Sequence, residues 1–225
     1  MMAEVPAVIK AYREHNKGIP IEELHHRYFD VLHKIQESKK KKDIPALLSY
    51  CNMALCLLEP FIKYEKKEYG QVPPVIPAIP EAIYFHAING ARGQLKNIQD
   101  IVEFFPELED YQFTVEQGFV MLDVAARIRK HVGGNPGCHQ NKLKKVLEFD
   151  DGRLLSRVIH YMEVAGQLER KKSGKTYELY VKETKKISST QPPKPSSPEK
   201  PTKETIEYHL ERPEKKRRWW QRRDK

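Results

Sequence analysis

Residues 139–181, HQNKLKKVLEFDDGRLLSRVIHYMEVAGQLERKKSGKTYELYV, change their hydrophobic period once, from helical to alternating. A first, short apolar face at helical spacing consists of Leu143, Val146 and Leu147. A second face repeats at i, i+3, i+4 and i+7 and consists of Leu155, Val158, Ile159 and Met162. The segment therefore predicts two consecutive helices, the second over residues 151–165 with Asp150 as its N-cap.

The alternating part of the segment predicts a β-hairpin with a basic tip. Gly166 can end the preceding helix in the left-handed conformation at little steric cost. One arm then starts at Gln167 and the other covers residues 176–181, with apolar and polar side chains alternating. Gly174 lies between the arms and gives the backbone the freedom that a tight turn requires.

Two helices followed by a basic hairpin resemble the winged helix-turn-helix family, over residues 119–181. The resemblance implies a domain that binds duplex DNA, with the second helix in the major groove and the wing on the adjacent backbone or minor groove. It also implies transcriptional regulation, or plasmid or phage replication and partition, commonly by a dimer on two half-sites. Winged helices also serve as protein-interaction modules, so a protein–protein adaptor remains the alternative.

The candidate DNA contacts lie on the polar face of the second helix and at the hairpin tip. The helix face contributes Arg153, Ser156, Arg157 and His160. The tip contributes Arg170, Lys171, Lys172 and Lys175, and the first helix adds Lys142, Lys144 and Lys145. Arginine suits paired acceptors on guanine or phosphate, and tip lysines suit phosphates, which position a protein without reading sequence. Ordinary surface residues are the alternative interpretation.

The whole chain has a net charge of +9, and its positive charge is concentrated in the C-terminal half. Residues 1–117 have a net charge of -3, residues 118–181 of +5 and residues 182–225 of +7. A one-sided positive field attracts polyanions, with a strong dependence on salt. The distribution favours nucleic acid as a partner, and a basic surface kept for solubility is the alternative.

Residues 1–113 are predicted to form a domain of antiparallel helices. Apolar periodicity predicts helices over residues 7–15, 21–38, 43–70, 81–89 and 94–105. Asp43 is expected to cap the third helix, with Pro45 in its first turn, and Pro60 predicts a kink or break near Glu59. We expect residues 39–42 to form a polar corner and residues 71–80, with four prolines, an irregular connector.

Residues 78–111 contain a helix, a small-residue turn, a second helix and then a proline. This order resembles one tetratricopeptide-type repeat, with residues 28–60 as a degenerate second copy. Fewer than three repeats rarely bury enough surface alone, so a plain helical bundle is the alternative. In both cases the apolar stripes form a core, and residues 1–117 are expected to provide the surface for a homodimer or a protein partner.

Residues 182–225 differ abruptly in composition and are expected to form a disordered, Pro- and Ser-rich linker with a basic end. The candidate nucleic-acid contacts of this tail are Lys215, Lys216, Arg217, Arg218, Trp219, Trp220, Arg222 and Arg223. Tryptophan can stack on exposed bases or lie at a membrane interface beside basic residues. Single-stranded DNA or RNA binding, membrane-surface binding and docking to a protein are the alternatives for this tail.

Enzymatic and cofactor functions find no support in the motifs. Cys51 and Cys56 are five residues apart on a helix, and Cys138-His139 lacks the usual zinc-ligand spacing, so we expect no metal and no cofactor. Three cysteines argue against a disulfide framework and fit a reducing compartment. No apolar run approaches the ~20 residues of a membrane span, and no signal peptide is evident.

The sequence therefore predicts a mostly α protein with three parts. These are an N-terminal helical bundle or repeat-like domain (1–113), a winged helix with a small β-hairpin (114–181) and the basic tail (182–225). We expect a cytoplasmic or nucleoid-associated protein that binds duplex DNA as a transcriptional regulator and is not an enzyme.

Overall fold

The computed structural model describes residues 4–182, and these are mostly helical with a small antiparallel sheet at the C-terminal end. The helices are α1 (Ala7–His15), α2 (Ile21–Lys41), α3 (Ile44–Cys56), α4 (Leu58–Tyr69), α5 (Ala78–Ile88), α6 (Arg92–Phe104), α7 (Gln112–Gly134), α8 (Gln140–Val146) and α9 (Gly152–Val164). The strands are β1 (Cys138–His139), β2 (Leu168–Ser173) and β3 (Thr176–Val181). This confirms the fold class expected from the sequence.

α2 is longer than the sequence analysis predicts. Its buried face includes Leu24, Tyr28, Val31 and Ile35. The helix does not stop at Ser38 but continues to Lys41 and ends at Lys42, which is left-handed with a φ of 57°. The expected polar corner is therefore a last helical turn, in which lysine side chains interact favourably with the negative end of the helix dipole.

The break expected near Glu59 is confirmed and lies at Leu57, between α3 and α4. Asp43 caps α3 as expected, because its carboxylate accepts a hydrogen bond from the Ala46 amide at 3.1 Å. Pro60 falls in the first turn of α4, where its missing N–H leaves no bond unmade. Among the described residues no single helix is long and apolar enough to cross a membrane. Only α3 and α4 taken together have that length and apolarity, and a bend of 49° separates them.

α5 lies at the centre of the helical layers. It starts at Ala78 rather than Glu81, so the last residues of the proline-rich connector already belong to its first turn. Ile79, Ile83 and Phe85 are fully buried, and the helix packs on α3, α6, α7 and α9. It approaches α7 so closely at Gly118 of α7 that a Cβ at this position would lie 2.5 Å from Cγ2 of Ile83.

The sheet has three strands in the order β1-β3-β2, all antiparallel. The hairpin is confirmed, with Ser173 paired to Thr176 and a two-residue loop that starts at Gly174, where φ is +59°. β1 was not predicted from the sequence. Its two residues pair with Leu179 and Glu178 of β3 and so join the chain before α8 to the hairpin.

α7 connects the N-terminal helices to the C-terminal helices and sheet. It packs on α5 and α6 and also on α9 and β3. The described residues accordingly belong to one compact unit with a continuous hydrophobic core from Ile9 to Leu179. The domain boundary predicted at residues 113/114 falls at the start of this helix.

Candidate nucleic-acid interface

The N-terminus of α9 is fixed by Asp151, one residue later than the Asp150 predicted from the sequence. The Asp151 carboxylate accepts hydrogen bonds from the amides of Arg153 and Leu154, both at 2.9 Å. Two amides that the helix itself cannot pair are thereby satisfied. Asp150 stays outside the helix and fully exposed, with its carboxylate 3.9 Å from Nζ of Lys144.

α9 divides into a buried apolar face and an exposed polar face. The buried side chains are Leu154, Leu155, Val158, Ile159 and Met162. The four candidates from the sequence are all exposed on the other side: Arg153, Ser156, Arg157 and His160. The Ser156 hydroxyl donates to the Gly152 carbonyl at 2.9 Å. The structure thus brings the four polar side chains together on one accessible surface.

Arg157 is held by side chains of two other helices, α7 and α5. Its Nη1 donates to Oε1 of Gln117 on α7 at 2.9 Å and to the hydroxyl of Tyr84 on α5 at 3.4 Å. Its Cζ also lies 5.5 Å from the centre of the Tyr84 ring. Within the described residues Nε and Nη2 have no hydrogen-bond partner. The guanidinium is therefore oriented by one nitrogen and keeps its other two for an external acceptor.

Aromatic contacts attach the flank of α9 to α5. The ring of Tyr161 lies 5.0 Å from that of Tyr84 and 5.2 Å from that of Phe85. Burial raises the pKa of Tyr161 above its ordinary value. Nζ of Lys39, from the end of α2, lies 5.6 Å from the same Tyr161 ring and 2.6 Å from Oε1 of Glu81. The N-terminal helices therefore cover one side of α9 and leave its polar face open.

Of the four basic side chains of the hairpin, two contact other side chains of the protein and two are free within the described part of the chain. Arg170 forms an ion pair with Glu163 of α9 and lies 5.2 Å from the centre of the Tyr177 ring. Nζ of Lys171 lies 4.6 Å from the centre of the Tyr180 ring. Two further side chains, Lys172 and Lys175, are exposed and have no ion-pair partner within residues 4–182.

α8 presents a narrower apolar face than the sequence predicts. Leu143 and Leu147 are buried, but Val146 is 49% exposed. α8 packs on β3, and Val146 stays outside the buried side of the helix. The three lysines of this segment are exposed: Lys142, Lys144 and Lys145.

Three contacts in this interface have no signal in the sequence. Gln117, Tyr84 and Lys39 are remote from α9 along the chain and reach it only through the packing of α7, α5 and α2. The tail candidates Lys215 to Arg223 lie outside the described residues. Within residues 4–182, no group of three or more His, Cys, Asp or Glu side chains is arranged to hold a metal ion.

No protein-family model, no curated protein and no solved structure matches this chain.

Proposed function

We propose that the protein binds duplex DNA and regulates transcription, with α9 in the major groove and the tip of the β2–β3 hairpin on the adjacent backbone. In this proposal residues 114–181 are a winged helix. The observation that carries it is the exposed face of α9, on which Arg153, Ser156, Arg157 and His160 stand together with no large apolar side chain among them.

The chemistry of this face suits base edges and phosphates. Arginine can donate two parallel hydrogen bonds to guanine or to a phosphate, and serine can serve either. Arg157 has the further advantage that Gln117 already orients it, so less side-chain freedom is lost when DNA binds. Arg153 is exposed and has no side-chain hydrogen bond within residues 4–182, so the two arginines can take different roles, one at a base and one at the backbone.

The order of the elements also supports the proposal. α8 and α9 follow each other across a short turn, and the β2–β3 hairpin directly follows α9. In helix-turn-helix proteins the second helix enters the groove and the elements beside it contact the backbone. Lys172 and Lys175 provide free positive charge at the hairpin tip for that contact.

Arg170 takes a different part in the proposal from the one its sequence position suggests. Its ion pair with Glu163 joins β2 to α9, so it positions the wing and leaves phosphate binding to Lys172 and Lys175. Asp150 and Asp151 oppose the approach of phosphates at the start of α9. Asp151 offsets this cost by capping the helix.

The test is a fluorescence-anisotropy titration of a mixed-sequence duplex at several salt concentrations. The full chain is compared with Arg153→Ala/Arg157→Ala and with Lys172→Gln/Lys175→Gln. The matched control is Arg27→Ala/Arg92→Ala, which removes two other exposed arginines, each paired with a carboxylate. A further full-chain variant with Lys215, Lys216, Arg217 and Arg218 changed to Gln measures what the tail contributes.

We expect Arg153→Ala/Arg157→Ala to weaken binding by roughly tenfold or more, since a good bidentate contact contributes about 1–3 kcal/mol. Lys172→Gln/Lys175→Gln is expected to lower the slope of log affinity against log salt by about 2, one for each phosphate contact. An equal loss in the Arg27/Arg92 control would show that only net charge matters and would contradict a site on α9.

One observation favours the adaptor as a second candidate. A groove of about 360 Å³ lies between α6 and α7, with Val102, Val115 and Phe119 among its lining residues. Phe113, at the start of α7, is 67% exposed. This groove belongs to the acidic part of the chain and suits an apolar segment flanked by basic residues.

A photo-crosslinking amino acid at Phe113 tests the adaptor, with the same substitution at the half-exposed Phe29 as control. One defined protein crosslinked at position 113 only, together with no duplex binding by the full chain, would favour the adaptor over the DNA-binding protein.

A further inference from the structure

We infer that the lysine run at the end of α2, residues 39–42, is a second phosphate-binding patch that contacts the DNA backbone beside the segment bound by α9. The inference rests on the proposed function and adds to it a part of the N-terminal helices. It assigns these helices a direct role in holding the duplex, in addition to their place in the core.

The lysine run is contiguous with the proposed interface through two tyrosines. Nζ of Lys39 lies 5.6 Å from the ring of Tyr161 on α9. The Tyr161 and Tyr84 rings are 5.0 Å apart, and Cζ of Arg157 lies 5.5 Å from the Tyr84 ring. Lys39 and Arg157 thus lie at opposite ends of one tyrosine pair on the same flank of α9.

The free charges of the run are Lys40 and Lys42. Lys39 is anchored to Glu81 at 2.6 Å, and Nζ of Lys41 lies 3.6 Å from the carboxylate of Glu37. Lys40 and Lys42 are exposed and have no ion-pair partner within the described part of the chain. The nearby Asp43 carboxylate accepts from the Ala46 amide as a helix cap, which occupies it locally. Two unpaired ammonium groups therefore remain at this end of α2.

The geometry of a groove-bound helix gives these two lysines a target. The major groove is about 12 Å wide, so a helix inside it has a phosphate wall along each flank. The flank of α9 that carries Tyr161 is the one covered by α5 and the end of α2. A duplex seated on the polar face of α9 would present one wall to Lys40 and Lys42.

Lysines in the last turn also stabilise α2 through the helix dipole. That role alone predicts a lower melting temperature on substitution and no change in how DNA affinity depends on salt. The salt dependence of binding therefore separates the two roles.

The experiment measures anisotropy of a mixed-sequence duplex of roughly two helical turns, about 21 bp, with the full chain at several salt concentrations. The variant is Lys40→Gln/Lys42→Gln. The control is Lys10→Gln/Lys17→Gln, which removes the same charge at α1 and just after it; Arg13 of this helix contacts α4 and α6. Thermal unfolding of each protein is recorded in parallel.

We expect Lys40→Gln/Lys42→Gln to lower the salt slope by about 2 relative to the control, and to weaken binding several-fold at low salt. A slope equal to that of the control, while Arg153→Ala/Arg157→Ala loses binding, would overturn the lysine patch and leave the proposed function standing. If Arg153→Ala/Arg157→Ala binds as the unmodified chain does, the proposed function fails and the patch fails with it.

Discussion

Arg157 of α9 donates a hydrogen bond to Gln117 of α7 across 2.9 Å, and the two residues are 40 positions apart in the chain. The bond couples the helix with the proposed DNA contacts to the helix that packs on α5 and α6. Because Gln117 uses only one guanidinium nitrogen, it restrains the direction of Arg157 without neutralising its charge. The orientation of a surface arginine is thereby set by tertiary packing.

Removing the Gln117 side chain is expected to weaken duplex binding through Arg157. Gln117→Ala removes one hydrogen bond that orients the guanidinium, a contribution of about 1 kcal/mol or roughly fivefold in affinity. In an Arg157→Ala background the same substitution should have no further effect. A double-mutant cycle by fluorescence anisotropy measures this coupling.

Gln112→Ala, an exposed glutamine at the start of α7, is the matched control for this cycle. The coupling interpretation would be wrong if Gln117→Ala lost as much affinity without Arg157 as with it.

Gly118→Ala is expected to destabilise the protein where α7 crosses α5. The new Cβ would lie 2.5 Å from Cγ2 of Ile83, in a core where Ile83 is fully buried. Relief requires a shift of the helix or of the isoleucine, at a cost of about 1–3 kcal/mol. Urea unfolding of the full chain measures the change.

Gly93→Ala is the control for this substitution, because Gly93 lies in α6 and a Cβ there meets nothing within 4 Å. Because Gly93 is exposed and is only the second residue of α6, we expect alanine there to change stability by less than about 0.5 kcal/mol. A Gly118→Ala protein as stable as Gly93→Ala would contradict the close approach of α7 and α5.

The elements that the sequence predicts well are those whose signal is local. The apolar stripe of α9 and the alternation in β2 and β3 repeat at the period of their own element, so one short window of sequence contains the whole pattern. Asp43 was identified as an N-cap for the same reason, since its hydrogen bond reaches only to Ala46.

The features that the sequence does not predict depend on distant partners. β1 has two residues and exists because β3, some forty residues later, pairs with it. Arg157 donates a hydrogen bond to Tyr84, 73 positions away in the chain. Nothing in the identity of either residue indicates that contact. The break expected near Glu59 from Pro60 does form, and only its exact position, at Leu57, was not predicted. The candidate site was therefore predictable as a list of side chains but not as a set of contacts.

Arg129 is expected to stabilise the junction of α5, α7 and β2. Its Nη1 donates to the Ile88 carbonyl at 2.7 Å and to Oε1 of Gln167 at 2.9 Å, and Nε2 of Gln167 donates to Asn89 at 3.1 Å. Arg129→Met keeps the aliphatic length but leaves both acceptors unpaired, at a cost of about 2 kcal/mol. Urea unfolding measures the loss.

The neighbouring, exposed Lys130 provides the control, and Lys130→Met is expected to change stability by less than about 0.5 kcal/mol. Equal unfolding free energies for the two variants would show that the hydrogen bonds of Arg129 do not stabilise the junction.

His86 is expected to make stability depend on pH below neutrality. It is buried in α5, with Nε2 2.9 Å from Oδ1 of Asn52. Burial lowers the pKa of His86 to about 4, whereas a histidine in an unfolded chain titrates near 6.5, about the ordinary value. Between these two values the unfolded chain binds a proton that the folded chain does not bind, so stability falls as the pH is lowered through this window.

The loss should approach about 1.4 kcal/mol per pH unit inside the window. His86→Gln removes this titration. Its unfolding free energy is expected to lie below that of the unmodified chain at about pH 6.5, and this deficit should shrink as the pH is lowered from about 6.5 to about 4.5. His33→Gln, which removes a histidine whose side chain is 75% exposed, should run parallel to the unmodified chain. A deficit of His86→Gln that stays constant over this range in urea unfolding would show that the folded protein accepts the proton at His86 as readily as the unfolded chain does.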